Sequence, residues 1–357
     1  MRKFFFGRII PLAICIFIFS TLLTSQIKIH VTQGNQRQES FQVKAVLVDW
    51  TGTDRRGEIP VKIYYPVTRY RQHNAFPVII FSHNQGRTRD EFDYLGQHWA
   101  SQGYVAVYLP QYTNDYGVWK GSLKQERDRR YDNRRVMDRK YEKYDMRREE
   151  DIRFAIDRLA MMNSNDRTFR GMFDLRYIGV VGDYYDAATA MKVAEQWTGT
   201  GRGRNRDWNE NTLVRAIIIL REPAQNRAGF DKSYPRVSIP IMELSENIVD
   251  MPRQRRDRRS AQRVMPYSFS TENDIYNIIF NVADYMIFSG DRHQDFGKDK
   301  MDVYHMSFIK DVTTAFWNAY LKNDRQAKKW LRQGGFEDYY DGYDYYNMYD
   351  KHKRYSD

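Results

Sequence analysis

The sequence predicts an α/β fold in which a mainly parallel sheet carries helices on both faces. Three observations predict it. First, short continuous apolar runs recur: "FPVIIFSH" at 76–83, "YVAVYL" at 104–109, "VRAIIIL" at 214–220 and "IPIMEL" at 239–244. Runs of this length without alternation are what a strand buried on both faces requires. Second, these runs alternate with helical patterns at 90–101, closed by Gly103, at 151–162, and from Ala187 onward. Strands alternating with helices build a parallel sheet, because a parallel connection must cross over the sheet. Third, "YIGVVGDYYDAATAMKVAEQ" at 177–196 passes from a β-run through a glycine turn into an Ala-rich helix.

The remaining elements follow in order. Residues 41–50 and 59–65 alternate enough to form strands, joined by the turn-like "TGTDRRGE". "IYNIIFNV" at 275–282 is another strand. "VTTAFWNAYLKND" at 312–324 is the last strong helix, with "RQAKKWL" after it. The charged segment 120–151 mixes both signs and reads as a solvated helix or pair of helices, a lid-like insertion above the sheet at about 120–150. The segment 336–357 is dense in Tyr, Asp and Gly and reads as a low-complexity tail, disordered or loosely draped.

Residues 1–25 combine Arg2, Lys3 and Arg8 with an apolar run at 9–23. The run is short for a spanning helix, which needs about 20 residues. It reads as a secretory signal, with an uncleaved N-terminal anchor as the alternative. Export to the periplasm, the cell envelope or the medium is the expectation. "LAIC" is a poor lipoprotein box, because Ile14 is large where a small residue is wanted. The single cysteine, Cys15, lies in this segment, so the body at 26–335 has neither disulfide nor thiol chemistry and must be held by packing.

The chain has 357 residues and a formal net charge of +11. A basic balance favours anionic partners. Arg253, Arg255, Arg256, Arg258 and Arg259, with Arg202, Arg204 and Arg206, are the residues that would grip an anionic polymer or envelope surface; solvated loops are the plainer reading. The glycines of "TGTGRGRNRDW" follow a helix rather than a strand, so they do not form a phosphate loop. No His/Asp/Glu spacing points to a metal, and no cofactor is expected.

Several segments resemble one family. "IPVKIYYP", "PVIIFSHNQGRTRDEFDYLGQHWASQGYVAVYLPQ", "DIRFAIDRL", "YIGVVGDYYDA" and "TTAFWNAYLKNDRQAKKWL" are similar to the α/β-hydrolases grouped as predicted dienelactone hydrolases. That branch also holds chlorophyllase-like and platelet-activating-factor-acetylhydrolase-like esterases. The resemblance implies the α/β-hydrolase fold over about 41–331 and puts a degenerate triad on this chain. The family's F-S-H-G-x-G-G loop, part of its oxyanion hole, is here "FSHNQGR", with His83 and Asn84. Its nucleophile turn, G-H-S-F-G-A, is here "GDYYDA". Tyr184 then stands at the nucleophile and Tyr185 at the second oxyanion position. The acid falls on Val249 or Asp250 of "SENIVD", and the base on Tyr285 of "VADYMIFSG".

These departures remove the chemistry. A nucleophilic serine needs an imidazole that takes its proton near neutral pH. A phenol titrates near pH 10 and is bulky. Asp186 replaces the second glycine of the turn, and a carboxylate there would repel a developing oxyanion. The expectation is a non-catalytic pseudo-hydrolase with a binding or structural role, its old pocket plugged by the Tyr184 and Tyr285 phenols. The alternative is an ester hydrolase with a rebuilt site using Asp183, His293 or His305. Asp183 as nucleophile would want glycine at 181, where Val181 stands. Ser82 and His83 are strand neighbours and should face opposite ways. His98 reads as a helix–sheet packing residue, and His305 as a capping or packing residue before the last helix.

Overall fold

The parallel runs form the middle of one sheet. The structure, a computed structural model, describes residues 40–51, 58–68, 75–83, 90–110, 134–183, 186–197, 214–221, 239–246, 274–280, 286–290, 300–335 and 346–350. All of them belong to one compact unit, Gln38–Asp357. The strands are β1 (Gln42–Thr51), β2 (Glu58–Val67), β3 (Phe76–His83), β4 (Val105–Pro110), β5 (Phe173–Asp183), β6 (Val214–Leu220), β7 (Ile241–Glu246), β8 (Ile275–Phe280) and β9 (Tyr346–Asp350). The helices are α1 (Asp93–Ser101), α2 (Arg134–Asn165), α3 (Asp186–Trp197), α4 (Met286–Ser289), α5 (Lys300–Leu321) and α6 (Arg325–Arg332).

The sheet order is β1-β2-β4-β3-β5-β6-β7-β8-β9. β1 and β2 form an antiparallel hairpin from Gln42↔Val67 to Thr51↔Glu58, and β2 is antiparallel to β4. From β4 to β8 every neighbouring pair is parallel. The α/β class with a mainly parallel sheet is therefore observed.

The two faces carry two cores. On one, Leu95 and Trp99 of α1 and Phe308, Val312, Phe316 and Trp317 of α5 pack over Phe81, Val181, Ile218 and Tyr276. On the other, Ile152, Ala155 and Leu159 of α2 and Ala190, Met191 and Val193 of α3 pack over Ile80, Val180, Ile217 and Ile241. Gly179 lets α5 come close: a Cβ there would lie 2.6 Å from the Trp317 ring.

Several elements differ from the sequence reading. The charged segment is not separate from the helix at 151–162. From Arg134 it runs into α2 as one helix, with no glycine or proline to interrupt it. The last helix starts at Lys300 and ends at Leu321. Asn323, with φ 56°, breaks it. Asp324 then caps α6, its side chain accepting from the Gln326 and Ala327 N–H groups. The tail is not wholly draped, since Tyr346–Asp350 pair antiparallel with β8. His305 lies inside α5, not before it, buried with its ring 5.7 Å from Phe280.

His98 joins α1 to α5 through a 3.0 Å hydrogen bond between Nε2 and Thr314 Oγ1. Burial, with help from the Lys310 charge, lowers its pKa from 6.5 to about 4. Between those values the unfolded chain binds a proton that the folded protein does not. Stability should therefore fall as pH drops from 6.5 toward 4. His98→Gln keeps a hydrogen-bonding side chain but cannot titrate, so its loss of urea resistance between pH 7 and pH 4.5 should be smaller than the parent's. An equal loss in both proteins would remove His98 from the acid response.

Among the described residues no helix is long and apolar enough to cross a membrane. The N-terminal segment read as a signal or anchor, residues 1–25, lies outside the described residues.

Candidate functional site

The topology picks out one place on the sheet. The connection after β3 runs through α1 on one face, and the connection after β5 runs through α3 on the other. β3 and β5 are neighbours, so their carboxyl ends flank the point where the winding reverses. Ligands of open α/β sheets bind at such a point, outside the carboxyl ends of the strands. Ser82 and His83 end β3, Gly182 and Asp183 end β5, and Ser82 is the register partner of Gly182.

Gly182 is what lets the first turn of α3 lie against the end of β5. A Cβ there would lie 2.3 Å from the Asp186 carbonyl oxygen and 2.9 Å from the Ala190 Cβ, so no other residue fits without movement. The turn of the sequence reading is therefore a close strand–helix approach in the fold.

The two acids around this turn are buried, and each meets an arginine. Asp183 is fully buried and pairs with Arg221, which follows β6. Arg221 Nε donates to Asp183 Oδ1 at 2.8 Å, and Nη2 donates to both carboxylate oxygens at 2.6 Å. Arg221 has φ 55° and donates its backbone N–H to the Leu244 carbonyl at 2.9 Å. Nearby, Tyr94 donates its hydroxyl to the Phe288 carbonyl at 3.1 Å. Burial pushes its phenol far above the ordinary range, and the Arg221 charge pulls part of the way back.

Asp186 opens α3 and is also fully buried. Ser82 Oγ donates to Asp186 Oδ2 at 2.7 Å. Arg148 Nη2 donates to the same oxygen and to the Leu109 carbonyl, each at 3.0 Å, and to Ser82 Oγ. Its Nη1 donates to Asp151 Oδ2 at 3.2 Å. One guanidinium thus joins α2, the ends of β3 and β4, and the first turn of α3. Asp186 Oδ2 is turned onto Ser82 and Arg148, whose positive charge offsets it.

Ser82 and His83 do face opposite ways. His83 is buried on the α1 face, with ring centroids of Phe81, Tyr108 and Phe92 at 5.7, 6.2 and 6.3 Å. Ser82 therefore has a carboxylate and a guanidinium beside it, not that imidazole. A third cluster lies near the end of β4. Lys62, the register partner of Tyr108, donates to Asp90 at 2.6 Å and to Asp93 at 2.9 Å. Burial works to lower the Lys62 pKa, but these two acids outweigh it and hold it above 10.5. Tyr64 also donates to Asp93.

Asn84, Tyr184, Tyr185, Val249, Asp250, Tyr285 and His293 lie outside the described residues, as do the arginines at 202–206 and 253–259. The sequence reading missed Arg148 and Arg221. Arg148 did carry a signal: it stands four residues before Ile152 and seven before Ala155, on the stripe that α2 buries. Arg221 offered less, only a charge directly after a buried strand. Among the described residues, no cluster of His, Cys, Asp and Glu could hold a metal ion. Comparison with known proteins gives no family model that matches the chain and no curated protein that matches it.

Proposed function

We propose that this chain is an exported α/β-hydrolase-fold protein, related to the predicted dienelactone hydrolases, that has lost ester hydrolysis and keeps a binding or structural role. The strand order and the antiparallel β2 support the fold assignment, as does the glycine-dependent turn between β5 and α3. Helix α2 supports a lid. Arg148 within it lies at the carboxyl ends of β3 and β4, and its own carboxyl end leads toward the amino end of β5, so it runs antiparallel to these strands. Residues 134–147 precede Arg148 and extend about 21 Å at 1.5 Å per residue.

The observation that carries the reading is the pairing of both acids at the turn with buried arginines. A carboxylate nucleophile has to be available to the substrate, whereas both Asp183 oxygens accept from Arg221. Ser82 donates its hydrogen bond to a carboxylate that Arg148 also holds, while the His83 imidazole lies on the other face of the sheet.

The purified protein is expected to hydrolyse p-nitrophenyl acetate and butyrate no faster than buffer, and to resist fluorophosphonate probes. Tyr184→Ser with Tyr285→His should gain little or no turnover, because the ion-paired acids remain. Probe labelling lost on Ser82→Ala, or turnover lost on Asp183→Asn or His293→Ala, would establish the rebuilt-site alternative instead.

A further inference from the structure

The low-complexity tail acquires a role from where it pairs. β8, "IYNIIF", has no charge, no proline and no glycine. Tyr276, Ile278 and Phe280 are buried on one face, and Ile275 on the other beside the buried Asn277, so β8 is mostly apolar where it faces the cores. A six-residue run of this kind at a sheet edge is a template for pairing with another chain. The opposite end of the sheet is managed differently: β1 carries Lys44 and Asp49 along its length. β8 has no such device of its own. Instead β9 covers it, in the register Tyr276↔Asp350, Ile278↔Met348 and Phe280↔Tyr346.

We infer that Tyr346–Asp350 is an edge guard, a strand of the chain's own tail that occupies the outer side of β8 and keeps a second copy from pairing there. Its composition suits the task. Tyrosine favours extended backbone, and the sequence of the strand includes the polar residues Asn347 and Asp350. The strand is short, with Asp344 before it and Lys351, Lys353 and Arg354 after it. Short length and charged flanks are how natural edges avoid further pairing. With β9 gone, two copies of β8 would pair antiparallel about Ile278. Strand alternation then sets Tyr276 of one copy opposite Phe280 of the other, a favourable aromatic cross-strand pair.

Two variants test this: deletion of residues 336–357, and the full-length Asn347→Pro, Met348→Pro double variant. In an antiparallel edge strand, alternate residues turn their N–H toward the neighbour, so proline at two consecutive positions must remove a ladder bond. Both variants should show a larger mass than the parent by light scattering at equal concentration. Hydrogen exchange at 275–280 in the proline variant, at a dilution that keeps it monomeric, should rise about tenfold. A synthetic 336–357 peptide added to the deleted chain should restore the parent's mass. Variants that keep the parent's mass and exchange pattern would overturn the inference. So would variants that lose cooperative unfolding and are not rescued by the peptide, because the tail would then be part of the core.

Discussion

Replacing Arg148 with methionine is expected to destabilise the protein by about 3–5 kcal/mol, the cost of removing one partner from a buried ion pair. Methionine can fill much of the space left by the arginine stem, so a cavity contributes little. The loss comes from Asp186, which stays in a fully buried site without its guanidinium, and from the Leu109 carbonyl, which loses a donor. The hydrogen bond from Ser82 and the N-terminal end of α3 still favour the carboxylate, but each contributes only about 1 kcal/mol. In a domain of this size, the loss corresponds to a midpoint lower by roughly 10 °C. Arg148→Met with Asp186→Ala should recover much of it, since removing both charges removes the desolvation cost. Thermal and urea unfolding of the single and double variants check this. A single variant within about 1 kcal/mol of the parent would mean that the guanidinium does not hold the site together.

Asp183→Ala is expected to cost a similar amount, about 3–5 kcal/mol. Here the stranded group is Arg221, nearly buried and set in a left-handed backbone conformation that non-glycine residues seldom adopt. The bidentate pair helps to hold that conformation, so its loss should also loosen the backbone bond to Leu244. Strand alternation puts Asp183 on the Val181 face, whereas Ser82 and Gly182 face Arg148 and α3. The two pairs therefore lie on opposite faces of the sheet. The Arg148→Met, Asp183→Ala double variant should be additive to within about 0.5 kcal/mol. A strong departure from additivity would show one network across the turn rather than two separate pairs. Neither variant should hydrolyse esters at a rate different from the parent's, because the pairs are proposed to stabilise the site and not to perform chemistry.

The α/β class was legible in this sequence because apolar runs of strand length leave few alternatives. "FPVIIFSH" and "VRAIIIL" have to be covered on both faces, and only a central parallel strand is covered in that way. The strand–turn–helix at Gly182 was legible for the same local reason: a β-run, a glycine and an Ala-rich helix follow one another directly. What those residues could not specify was who meets whom across long separations. Ser82 and Asp186 are 104 residues apart, and Arg148 lies 38 residues before Asp186. The position of Arg148 on the buried stripe of α2 hinted that it would be covered, but nothing local named its partner. Only the course of α2 across the sheet carries Arg148 to that carboxylate. The charge of Asp186 was likewise visible in the sequence, and its partner Arg148 was not. The tail followed the same rule. "YNMYD" has too few apolar residues to build a core, and it becomes a strand because β8 offers it a row of unsatisfied backbone groups. Local sequence thus determined the elements and the turn. Tertiary structure decided which charges are paired and which edge is covered, because both depend on contacts that exist only after the sheet has formed.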